Sequence, residues 1–153
     1  PLYSSAASDV YKRQVVTAGT EIIRSILMED VLNAEETLIT GQSHHTYTIL
    51  CITVCALAIN TSAPTCECWI QGYDSNDGTS DESIYLFKQT FTTVGSTYVF
   101  NDRVSFFGAE PSSNTDAARA AQASGTVQTL KIKSTSSTTK LDVTCSYIDQ
   151  NWS

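Results

Sequence analysis

Strict two-residue alternation constrains this chain more than any other feature. In Leu141-Asp-Val-Thr-Cys-Ser-Tyr-Ile148, one side carries Leu141, Val143, Cys145 and Tyr147, and the other Asp142, Thr144, Ser146 and Ile148. A helix cannot separate residues at that period. A strand does, because successive side chains leave opposite faces of the pleat. One apolar and one polar side is the mark of an antiparallel sheet with a single buried face. Val127–Ser134 alternates in the same way, and Thr65–Tyr73 sets Cys66, Cys68, Ile70 and Gly72 against Glu67, Trp69, Gln71 and Tyr73. Thr37–Thr40, Tyr47–Leu57, Ser83–Phe91, Thr97–Phe100 and Val104–Phe107 complete a series of short strands. Turn-forming Gly41–His44, Asn60–Pro64 and Val94–Ser96 punctuate them. Short strands at such spacing predict an all-β chain, an antiparallel β-sandwich of jelly-roll or Ig-like type.

Three segments stand apart from the series. Thr20–Leu32 places Ile22, Ile23, Ile26, Leu27 and Val31 near helical spacing behind a capping Thr20. That predicts a short N-terminal helix, with an irregular segment or two short strands as alternatives. The expected division is thus an N-terminal segment at 15–34 and a sandwich at 35–153. Pro111–Gly125 offers Ser113, Asn114 or Thr115 as a cap and Gly125 as a stop around an alanine-rich stretch. So short a helix is marginal unless it packs on something, which leaves a surface loop or a contact with a neighbouring subunit. Residues 1–14 resemble a translated sequencing adapter: Ser4–Gln14 reads codon for codon as the arm and mosaic end of a transposon-based library. They are expected not to be native, and the gene to come from an environmental (metagenomic) assembly.

Charge excludes one class of partner. The chain holds 9 basic and 16 acidic residues, a net charge of -7, and loses more positive than negative charge if residues 1–14 are set aside. Nucleic-acid affinity rests on lysines and arginines that release counterions, so no nucleic-acid partner is expected. No membrane partner is expected either. The longest apolar run, Tyr47–Ile59, is too short to span a bilayer, which takes about 20 residues, and reads as a buried strand.

Chemistry-bearing residues are few. Cys51, Cys55, Cys66, Cys68 and Cys145 lack zinc-ribbon spacing. On strands Cys51 shares a face with Cys55, and Cys66 with Cys68. The choice is between a metal or disulfide cluster and small apolar core residues kept reduced. Asp74, Asn76, Asp77, Asp81 and Glu82 concentrate oxygen ligands suited to calcium, but Asp77-Gly78 is equally a turn pair in a solvated hairpin loop. His44-His45 has no nucleophile in a recognised setting and reads as a polar loop entering the central strand. No cofactor and no catalytic residue is expected.

Several phrases carry a resemblance. His45-Thr-Tyr-Thr-Ile-Leu-Cys-Ile-Thr-Val54, Ile84-Tyr-Leu-Phe-Lys88, Val94-Gly-Ser-Thr97, Asp102-Arg-Val-Ser-Phe106, Leu130-Lys-Ile-Lys-Ser134 and Lys140–Asp149 resemble small structural proteins of marine tailed bacteriophages. The resemblance spans about Thr37 to Asp149 and departs at Ala109–Gly125. It implies a β-sandwich on a virion, assembled in the bacterial host cytoplasm, that self-associates and contacts other virion proteins as a capsid decoration, neck or tail component. It implies no catalysis. Trp69, Tyr73 and Trp152 are candidate anchors at a subunit contact, or else cover their own sheet. The alternative is a secreted carbohydrate-binding or adhesion module using Trp69, Tyr73 and the 74–82 loop. A glycan-binding assay with and without calcium distinguishes the two.

Overall fold

The computed structural model describes residues 20–59, 63–74, 79–110 and 126–151. They form β1 (Thr20–Val31), β2 (Glu36–Thr40), β3 (His45–Ala56), β4 (Thr65–Asp74), β5 (Thr79–Thr90), β6 (Thr97–Phe100), β7 (Val104–Phe107), β8 (Ala109–Glu110), β9 (Thr126–Val127), β10 (Thr129–Ser134) and β11 (Leu141–Asn151). The first sheet runs β1-β11-β3-β6, with β7 also on β3, and the second runs β2-β10-β4-β5. A small β8-β9 ribbon stands beside them. Every pairing is antiparallel.

β6 and β7 occupy successive lengths of the same edge of β3, so they count as one interrupted strand. The eight main strands then lie in the orders 1-8-3-6 and 2-7-4-5. Consecutive strands alternate between sheets except at the β4–β5 hairpin. This is a jelly roll. An Ig-like sandwich keeps its first two strands side by side in one sheet; here β1 and β2 lie in different sheets, which excludes that alternative.

The N-terminal segment corrects the sequence expectation. Thr20–Val31 is a twelve-residue strand, not a helix, and belongs to the sandwich. It pairs with β11 from Thr20 opposite Asn151 to Val31 opposite Leu141. The five aliphatic residues that suggested helical spacing satisfy a strand as well, since three are isoleucines and one is a valine, the β-branched types that fit a pleat. A lone short helix is marginal in water, whereas β11 offers a full-length ladder. Nothing within a local window shows that ladder.

Five one-residue register shifts bend the strands, one of them between Gly72 and Asp74 near the end of β4. Asp30 lies in the irregularity between Met28 and Val31, with a left-handed φ of 57°. Leu38, Leu50 and Leu86 are the unmatched residues of β2, β3 and β5. Each adds twist and resets which side chains face inward. In β3, Tyr47 and Ile49 point inward before the bulge, and Ile52, Val54 and Ala56 after it.

Between the sheets lie Ile49, Ile52, Val54, Leu130, Ile132 and Leu141, all fully buried. Phe87 meets Tyr98 and Phe100 with ring centroids 5.0 and 5.5 Å apart, joining β5 of one sheet to β6 of the other. Each such side chain contributes about 1.5–3 kcal/mol through removal from water.

The cysteines divide as their strand faces dictate. Cys66, Cys68 and Cys145 are fully buried in the core, while Cys51 and Cys55 sit half-buried on the outer face of the first sheet. Burial pushes the Cys66 and Cys145 thiols up to about 12, and that of Cys68 well above its usual 9.0. These folded values exceed the unfolded one. The stability they contribute is therefore present below about pH 9 and lost as pH rises from there towards about 12. At pH 8 a thiol reagent is expected to titrate Cys51 and Cys55 in the native protein, and all five cysteines in denaturant. Rapid native labelling of Cys66 or Cys145 would contradict this burial.

Candidate functional site

The main polar constellation lies where three strands of the first sheet end together. Asp149 is inward-facing on β11 and only 6% exposed. Its Oδ1 lies 2.6 Å from Nδ1 of His45 on β3, and its Oδ2 accepts from Nε of Arg24 on β1 at 2.8 Å. Tyr47 stacks near the His45 ring with centroids 5.9 Å apart, and Tyr147 tilts against Tyr47 at 6.0 Å. With Leu38, Ile39, Thr40 and Gln42 these residues line a cleft of about 260 Å3. Burial first, and then the Asp149 carboxylate, push the Tyr47 hydroxyl up to about 12, so it stays protonated.

A His–Asp pair invites a catalytic reading, but geometry limits it. The lining of the cleft contains no serine or cysteine, and no hydroxyl or thiol is hydrogen-bonded to the His45 ring among the described residues. A histidine base needs such a nucleophile within hydrogen-bond reach. Both carboxylate oxygens of Asp149 are already engaged. The cluster acts as a clamp that fastens β1 and β3 to β11 through one carboxylate.

The clamp departs from the expected polar loop at His44-His45. His45 opens β3, and Asp149 lies 104 positions away. One signal was available: two residues beyond inward-facing Tyr147, the period of β11 puts a charged residue on the buried side, where a charge requires a partner.

The residues singled out in the sequence are scattered. Trp69 is on the outer face of β4, 3% exposed and outside the inter-sheet core. Tyr85 lies 5.7 Å from it, and Lys133 Nζ sits 5.3 Å above its ring. Glu67 on the same face pairs with Lys88 at 3.1 Å and Lys133 at 3.7 Å. Cations and aromatics thus interleave across β10, β4 and β5, an arrangement invisible in the linear sequence. Tyr73 and Glu82 line a shallow cleft of about 350 Å3 with Ile70, Ile84 and Gln128. Asp74 ends β4 opposite Thr79, and Asp81 and Glu82 lie within β5, so the described residues of the expected calcium loop belong to the β4–β5 strands. Asn76, Asp77 and Trp152 lie outside the described residues. Among the described residues no three His, Cys, Asp or Glu side chains are grouped to hold a metal ion.

No protein-family model matches the chain, and no curated protein matches it in sequence. Among the solved structures similar in shape are these two. One is from Bacillus endospore appendages, described as disulfide-linked pili, with a TM-score of 0.42 and 12% identity over 88% of this chain and 91% of that one. The other is from the T13 viral particle of IBDV, with a TM-score of 0.32 and 8% identity over 88% of this chain and 40% of that one. The jelly-roll assignment rests on the strand order itself.

Proposed function

We propose that this chain is a non-enzymatic structural subunit that assembles with further copies of itself, and that its setting is a bacteriophage virion, as a capsid decoration, neck or tail component. One observation carries the assembly reading: β1 is a twelve-residue edge strand whose outer side no strand pairs among the described residues. Ile22, Ile23 and Leu27 on it are 43, 75 and 80% exposed. A long apolar edge presents unpaired N–H and C=O groups to any second strand, and monomeric proteins normally blunt such edges. The virion setting is supported by the resemblance of the strands and turns between Thr37 and Asp149 to tailed-phage structural proteins.

Ile22→Lys tests the assembly reading. It places a charge on the free edge, the device by which natural edges avoid pairing. The fold accommodates it, because Ile22 is half-exposed and lies outside the hydrophobic core. Sedimentation velocity over a range of concentrations is expected to show oligomers for the parent chain, and at least tenfold weaker association for the variant. A parent that stays monomeric throughout refutes self-assembly.

A further inference from the structure

A second surface has the composition of a contact. The outer face of the first sheet is built from the outward positions of β1, β11, β3, β6 and β7. Register sets Ile23, Ile148, Thr48 and Ser105 in one row across it, and Leu27, Thr144, Thr53 and Val99 in another. Ser25, Ser146 and Cys51 lie between them. Thr48 and Ser105 are joined by a 2.8 Å hydroxyl–hydroxyl hydrogen bond, so part of the face satisfies its own polar groups.

On the paired strands no charged side chain falls between those rows; Asp102 and Arg103 lie at the edge, in the exposed connection from β6 to β7. Glu21 and Glu29 occupy the ends of β1, and Asp142 lies at the opposite end of β11 from Gln150. The outer face of the second sheet contrasts with it: Glu35, Glu67, Lys88, Lys131 and Lys133 are paired across that face. Four large apolar residues stand exposed on the uncharged face: Ile23 at 75%, Leu27 at 80%, Val99 at 49% and Phe107 at 49%. Charge depletion with exposed aliphatic and aromatic side chains is the compositional signal of an interface core.

We infer that this face packs against the same face of a second copy of the chain. The inference rests on the self-assembly reading above and adds to the β1 edge a second surface of contact. The occupant follows from charge. Each copy carries a net charge of -7, so two copies repel wherever carboxylates oppose one another. Here the carboxylates lie at the margins, on Glu21, Glu29, Asp142 and Asp102, and the middle of the face brings none together. The size also suits a dimer. Four strand widths of about 4.8 Å by some ten residues at about 3.3 Å give roughly 600 Å2 in outline, near the roughly 800 Å2 per partner of a standard interface. A two-fold axis makes the contact self-complementary, with the outer side chains of the two sheets interleaving about 10 Å apart.

Cys51 and Cys55 lie on this face and report on it. In assembled parent protein their maleimide labelling is expected to be at least tenfold slower than in the same protein diluted to monomer. Thr53→Lys, which puts a charge midway between Thr144 and Val99, is expected to weaken association at least tenfold and restore labelling. Three results overturn the contact. Unchanged labelling of Cys51 and Cys55 in sedimenting oligomers rejects it while self-assembly stands, and leaves the face to a different occupant, a glycan chain included. Undiminished association of Thr53→Lys rejects it in the same way. A parent that never associates removes the assembly reading and this contact together.

Discussion

Gly108→Ala is expected to cost about 3–5 kcal/mol, enough to unfold much of a marginally stable domain. Gly108 stands between β7 and β8, where three backbone segments converge. Its N–H donates to the His45 carbonyl at 2.8 Å, and its own carbonyl accepts from the Gln128 N–H at 3.1 Å. The Gly41 N–H in turn donates to the Gln128 carbonyl at 2.9 Å. A Cβ on Gly108 would fall on the Gln42 carbonyl oxygen and come within 2.5 Å of the Gln42 nitrogen. A Cβ on Gly41 would fall on the Gly108 oxygen. Backbone cannot swing aside as a side chain does, so relief requires parting the junction after β7 from the connection that joins β2 to β3. Gly72→Ala is the contrast, because its Cβ would meet only the side chain of Gln128, at 2.8 Å, which can rotate away. Chemical denaturation of the two variants measures the difference. A Gly108→Ala midpoint equal to that of Gly72→Ala would show that the junction yields.

Asp149→Ala is the second large effect, expected at about 2–4 kcal/mol. The carboxylate is buried, and its removal leaves Arg24 and His45 without their shared acceptor. Stranding the partners of a buried charge costs about 3–5 kcal/mol in full burial. The lower range applies here because the Arg24 side chain is 48% exposed and water takes up part of its hydration. The loss is expected to be local before it is global. Arg24 is the clamp's hold on β1, so amide exchange should accelerate over Thr20–Val31 more than over β3 or β10. Uniform acceleration across all strands, or an unchanged denaturation midpoint, would refute the clamp.

Much of the fold was legible in the sequence because its information is local. Alternation in Thr65–Tyr73, Val127–Ser134 and Leu141–Ile148 marks a strand and its buried face at once, with Cys66, Cys68, Leu130, Ile132, Val143 and Cys145 all facing inward as the period requires. The same rule put Cys51 and Cys55 together on the other face of β3. It fails at the bulges. One extra residue at Leu50 or Leu86 inverts the pattern downstream, and no residue type there announces it. Trp69 shows a further limit: its period gave it an outward position, but whether an outward indole lies open depends on Tyr85 and Lys133 from two other strands.

Alternation along the chain is enough to specify a sandwich of antiparallel strands, because a period of two is satisfied by a pleat with one dry face. That Thr20–Val31 is a strand, that the sandwich is a jelly roll, and that Arg24, His45 and Asp149 form one clamp emerges only from how the strands pair. The reason is distance along the chain. Arg24 and Asp149 are 125 positions apart, and only the ladder between β1 and β11 brings them within 2.8 Å. Pairing partners at such separation are selected by which edge remains open once the other strands have docked, a property of the assembled sheets that no local stretch of sequence contains.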